Sequence, residues 1–158
     1  MKIIAAVLVL QLLLRGFGLF PFSGQKAADL QPVQVLTVEQ LPGMVLLRTD
    51  NGLSGSGADY DAAMARLQAT APGKAFFACC NAVVLCGGEQ SLDAVLADDR
   101  LRPAALIYAA PFAPDAAQLQ PVLSAHPGGV RLADLQRGEK NLPRLIPLAE
   151  GWLVEDGA

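Results

Sequence analysis

Twelve consecutive residues, Ala75 to Cys86 (AFFACCNAVVLC), carry no charge and one strongly polar side chain, Asn81. A strand with one wet face alternates apolar and polar residues, whereas a run apolar at nearly every position is covered on both sides. The run therefore predicts buried central strands, in a domain of two or three layers. Ala75–Cys80 reads as a strand. Asn81–Cys86 is either a second strand or the first turns of a helix, because so short an apolar run does not separate the two periodicities. A second run, Ala104–Ala109 (AALIYA), reads as another buried strand.

Helix-like and strand-like segments alternate around these runs. Val33–Val38 is rich in β-branched residues, and Met44–Leu47 is a strand candidate after the Pro42-Gly43 turn signal. Asn51–Gly57 (NGLSGSG) is a loop by composition. In Asp59–Thr70, Tyr60, Ala63, Met64 and Leu67 recur at helical spacing, and Pro72-Gly73 stops them. After Gly87-Gly88 a helix is expected, with Leu92, Val95 and Leu96 as its apolar stripe, acids near its start and Arg100 near its end. Pro114–Ala125 predicts another helix, Leu119, Val122 and Leu123 facing inward, with Pro121 an awkward residue at its middle. Val130–Leu132 reads as a short strand and Leu145–Val154 as a terminal hairpin around Glu150-Gly151. The alternation predicts an α/β fold: a single small domain with a central, partly parallel sheet flanked by helices, and a C-terminal hairpin.

The first 22 residues follow a different rule. Lys2 precedes Ile3–Leu14, interrupted only by Gln11, then Arg15 and a second apolar patch to Phe22. Such a stretch is close to the ~20 residues that span a bilayer, and an off-centre Arg15 can snorkel to the interface. The site for signal cleavage is poor, since a cut after Ala27 or Ala28 places Gln25 or Lys26 at the −3 position. We therefore read residues 1–24 as an N-terminal transmembrane or signal-anchor helix, 25–32 as a linker and 33–158 as a soluble domain. With Lys2 held inside, the chain crosses the inner membrane once and its domain stands on the periplasmic side. The alternative is a cleaved signal peptide and a secreted periplasmic domain. Residues 1–26 hold three bases and no acid, which leaves nine bases against all 15 acids, a net charge of −6, in the remainder. That charge argues against nucleic acid as a partner, and 53% hydrophobic with 17% charged residues is no composition for a disordered chain.

The three cysteines, Cys79, Cys80 and Cys86, are an odd set for an oxidising compartment. Buried thiols acting as small hydrophobes are one reading. A disulfide from Cys86 to Cys79 or Cys80 is another, and it needs the run to fold back on itself. No CxxC or second ligand cluster points to a metal, and no motif implies a cofactor; NGLSGSG lacks the Lys-Ser or Lys-Thr of a phosphate loop. A catalytic reading makes Cys80, ending a strand, or Cys86, before a Gly-Gly opening a helix, the nucleophile. His126, the sole histidine, is then the base, and amides near Gly87 and Gly88 are the oxyanion donors. His126 also stands where a histidine terminates a helix, ahead of Pro127-Gly128-Gly129. Trp152 reads as a packing anchor of the hairpin.

Two family resemblances touch these residues. Gly73–Cys80 (GKAFFACC) resembles the strand entering the nucleophile elbow of class I glutamine amidotransferase-like proteins, which implies Cys80 as nucleophile. Cys86–Gln90 (CGGEQ) is similar to the elbow itself and implies Cys86. The sequence His126-Pro127-Gly128 lacks the glutamate of that superfamily's His-Pro-Glu pattern. Ala78–Gly88 (ACCNAVVLCGG), with NGLSGSG upstream, is similar to the segment around the nucleophile of Clp-protease-like periplasmic proteins and places Cys79 where that family has serine. Taken together, the sequence points first to a membrane-anchored periplasmic accessory or binding protein with no evident catalytic set and an envelope protein as partner. A cysteine-dependent hydrolase or amidotransferase-like enzyme (Cys80 or Cys86, with His126) is the alternative, and a thioredoxin-like redox module lacking CxxC is the third.

Overall fold

The computed structural model describes residues 29–125, 128–139, 141–149 and 151–155. The expected membrane helix and His126 lie outside the described residues, and among those described no helix is long and apolar enough to cross a membrane. The chain divides into two units, Met1–Leu30 and Gln31–Ala158; the elements of the second make an α/β fold.

The last residues of the expected linker form a strand, β1 (Leu30–Pro32), which pairs with β5 (Lys74–Phe76). The remaining strands build one mixed sheet. They are β2 (Val35–Leu41), β3 (Met44–Thr49), β4 (Ser54–Gly57), β6 (Ala82–Cys86), β7 (Leu106–Ala110), β8 (Val130–Arg131), β9 (Arg144–Leu148) and β10 (Gly151–Glu155). Their order is β10-β9-β7-β6-β2-β3-β4, with β8 on β7. The strands β2, β6, β7 and β9 run parallel, while β3, β8 and β10 are antiparallel to their neighbours. The helices are α1 (Tyr60–Thr70), α2 (Leu92–Ala97), α3 (Ala116–Ala125) and α4 (Leu132–Gln136).

The ambiguous run resolves as the central strand β6, buried at every position. Its alternate residues feed two cores. Val83 and Leu85 join residues of α1, α2 and α4 on one face, while Ala82, Val84 and Cys86 join Leu119 and Leu123 of α3 on the other. The domain thus has three layers, the arrangement that a strand apolar on both faces requires.

Three expectations are corrected. Ala75–Cys80 is not one strand: β5 ends at Phe76, and a turn closed by the Cys80 amide donating to the Phe77 carbonyl at 2.8 Å re-aims the chain into β6. Part of the expected NGLSGSG loop is β4, and its glycines have a packing reason. A Cβ on Gly55 would stand 2.3 Å from the Ala63 carbonyl oxygen and 2.4 Å from the Leu67 nitrogen. The strand therefore lies directly on the backbone of α1, which only glycine permits. The helix expected to open at Gly87-Gly88 begins at Leu92 and has six residues. The helix α4 was not expected, and of the residues expected to face inward on α3 Leu119 and Leu123 are buried while Val122 is half-buried. The helix α1 buries Tyr60, Ala63, Met64 and Leu67, and Asp59 caps it by accepting from the Ala62 amide at 2.8 Å.

Candidate functional site

The thiols stand apart from one another. Cys80 is buried in the core under α1, α2 and α4, whereas Cys86 is buried on the α3 face at the far end of β6. The strand β6 (Ala82–Cys86) separates them, and at ~3.3 Å per residue it spans well over the ~7 Å limit of a disulfide. All three cysteines are free.

Burial dominates the chemistry of both buried thiols. The Cys80 thiol is pushed up to about 12, and its sulfur donates to the Ala82 carbonyl at 3.3 Å. The Cys86 thiol is also pushed up to about 12, first by burial and then by the Glu39 carboxylate, against a smaller opposing effect of Arg48. Glu39 and Cys86 are register partners across β2 and β6, and Arg48 Nη1 lies 3.1 Å from Glu39 Oε2. Both thiols are therefore neutral at physiological pH. The elbow geometry that a nucleophile at Cys86 needs is also missing, because α2 starts six residues later and Ser91 makes no capping bond to it. Gly87 does take a left-handed backbone (φ 78°), packed so that a Cβ there would stand 2.5 Å from the Gln40 carbonyl. Cys79 is half-buried, and its sulfur faces the Val33 and Phe76 carbonyls at 3.4 and 3.3 Å. Among the described residues no group of three or more His, Cys, Asp or Glu side chains is placed to hold a metal.

An apolar concavity lies where the sheet itself predicts one. Ligand crevices in open α/β sheets form outside the carboxyl ends of the parallel strands. A cleft of about 390 Å³ opens there, floored by Leu85 of β6, Ala109 and Ala110 of β7 and Ile146 of β9, with Glu89, Arg144 and Glu155 at its polar positions.

The hairpin β9–β10 extends this cleft. Cross-strand register pairs Leu153 with Ile146 and Gly151 with Leu148, so Ile146, Leu148 and Leu153 share one face. Leu145, Trp152 and Val154 share the other face and pack into the α3 core. The core beneath α1, α2 and α4 includes no residue of β9 or β10. On that side the helices stop short of the hairpin, leaving Leu148 56% and Leu153 51% exposed beside the cleft. Phe112, which follows β7, is 52% exposed and meets Trp152 with ring centroids 5.2 Å apart. The outer edge of β10 has no strand partner among the described residues.

Sequence reasoning singled out Trp152 as an anchor, and it packs, partly buried, against the α3 core. It missed Ile146, Leu148 and Leu153. The signal was present, since a terminal hairpin apolar on both faces but reached by too few helices must leave one face uncovered. Compared with known protein families, curated proteins and solved structures, the chain matches none.

Proposed function

We propose that this chain is a membrane-anchored accessory protein of the cell envelope. In this reading residues 1–24 hold it in the inner membrane, and its α/β domain, on the periplasmic side, binds a partner protein. The observation that carries the binding role is the uncovered apolar face of β9–β10, continuous with the cleft at the carboxyl ends of β6 and β7. Its occupant is an extended apolar segment. The free edge of β10 offers main-chain donors and acceptors, while Ile146, Leu148 and Leu153 offer apolar contacts, which is how an added strand is recognised. A net charge of −6 over residues 27–158 favours a partner whose surrounding surface is neutral or basic. The buried, neutral state of Cys80 and Cys86 supports binding over thiol catalysis, because the thiolate is the attacking species.

A photo-crosslinking residue placed at Leu153 of the full-length chain, in intact cells, tests the binding role. We expect a discrete adduct with another polypeptide from position 153 and none from the exposed control position Ala62 on α1. Equal labelling at both positions, or at neither, would count against the reading. Anchorage is tested on the same cells: the chain should remain with membranes through alkaline carbonate washing, and protease added to spheroplasts should cut the domain. A chain protected in the cytosol would overturn the envelope assignment.

A further inference from the structure

A second concavity lies at the opposite, amino-terminal edge of the parallel strands. It has about 650 Å³ of space between Val35, Ala82 and Leu106, which open β2, β6 and β7, and the α3 residues Gln120 and Ser124. Its two charged described residues are both arginines, Arg102 and Arg131. Neither makes an ion pair among the described residues, and no carboxylate stands among those lining the space. Gathering two guanidiniums without a counter-charge is costly in a domain that has acids to spare.

Both arginines are fixed at the backbone. Arg102 begins a turn in which its carbonyl accepts from the Ala105 amide at 2.9 Å, while the carbonyls of Pro103 and Ala105 accept from Ala133 and Leu132. Arg131 lies in β8 as the register partner of Leu106. The side chain of Arg102 is aimed as well: Nη2 donates to Asn81 Oδ1, while Nε is buried with no acceptor among the described residues. A buried guanidinium N–H without a partner is expensive, and an anion seated beside it would remove that cost.

We propose that this concavity is an anion site for a phosphate monoester group, held by Arg102 and Arg131 with the Ser124 hydroxyl as a further donor. The site is independent of the cleft and hairpin argued above. Phosphate fits better than a carboxylate on two counts. Its charge of roughly −2 at neutral pH balances two guanidiniums, and its three terminal oxygens accept more of the forked N–H groups than a carboxylate's two can. The same group occurs on small soluble metabolites and on the headgroup of phosphatidic acid.

The test uses full-length protein in a non-ionic detergent, titrated calorimetrically with inorganic phosphate, with sodium chloride at matched ionic strength as control. A parallel arm measures recruitment to phosphatidylcholine vesicles with and without phosphatidic acid. We expect saturable phosphate binding that weakens about tenfold or more in R131Q, whose side chain is exposed. R102K, which keeps the charge but loses the fork, should weaken binding similarly while its unfolding midpoint stays near that of the parent. Binding of free phosphate assigns a soluble ligand, and an R131Q-sensitive gain confined to phosphatidic acid vesicles assigns a headgroup. Absence of saturable binding in both arms, equal competition by chloride, or affinity unchanged in R131Q would overturn the proposal.

Discussion

Two thiols that never meet water give the molecule a weakness at high pH. Burial pushes the thiols of Cys80 and Cys86 up to about 12 in the folded chain, from an ordinary value of 9.0. Between those values the native state keeps protons that the unfolded state releases, so stability is complete below about pH 9 and falls as pH rises towards 12. Each thiol contributes a slope of up to ~1.4 kcal/mol per pH unit in that window. Urea unfolding at pH 8 to 11 should therefore show a steep alkaline loss, and the double variant C80A/C86A should be less stable at pH 8 but lose stability more slowly above pH 9. Identical slopes would mean the thiols are not sealed. A second residue-scale prediction concerns Asp98, which accepts from the Tyr60 hydroxyl at 2.7 Å and from Arg100 Nε and Nη2 at 2.6 and 2.9 Å. D98A strands the buried Tyr60 hydroxyl without an acceptor and should cost about 1–3 kcal/mol, whereas Y60F removes both donor and demand and should cost ~1 kcal/mol. Equal losses in denaturant titrations would argue that this bond does not tie α1 to the loop after α2. At this scale the sequence was readable for composition but not for state. The apolar run made buried thiols one of several readings, and the turn at Cys80 and the face chosen by Cys86 depend on tertiary packing.

Elements were legible wherever one periodicity had no rival. The helix α1 showed its stripe and its Pro72-Gly73 stop, and the hairpin showed its turn. The strand β4 was hidden because Ser-Gly-Ser-Gly has the composition of a loop. Its glycines answer to the backbone of the helix that follows, a demand of tertiary packing that composition does not show. The substitution G55A makes this demand measurable. The added methyl meets backbone atoms of Ala63 and Leu67 that have no side-chain freedom to yield, so the loss should reach about 3 kcal/mol, the upper end of overpacking costs. D59A, by contrast, removes only the cap of α1 and should cost about 1 kcal/mol, while D59N, which can still accept from the Ala62 amide, should stay near the parent. Thermal unfolding of the three variants gives the ranking. A mild G55A would show that β4 can separate from α1.

For the whole molecule, the alternation of strand-like and helix-like runs was enough to foresee a partly parallel sheet with helices around it, but not where the helices end. Cover follows from how many helices each face receives, and three of the four described helices share one face without reaching β9 and β10. Hydrogen exchange should reveal that unevenness. Amides of β6, paired on both sides and buried at every residue, can exchange only through global opening and should be the slowest. Amides of β10 have one paired side and an exposed leucine on the uncovered face, so they should exchange through local opening, orders of magnitude faster. The comparison also bears on occupancy. If a bound segment or a second copy covers the edge, β10 protection should rise towards that of β6, and it should fall back in a variant such as L153D, which places a charge on the apolar face. Protection of β10 equal to that of β6 in isolated monomer, unchanged by L153D, would show that the hairpin is already covered within the chain and would remove the surface on which the binding role rests.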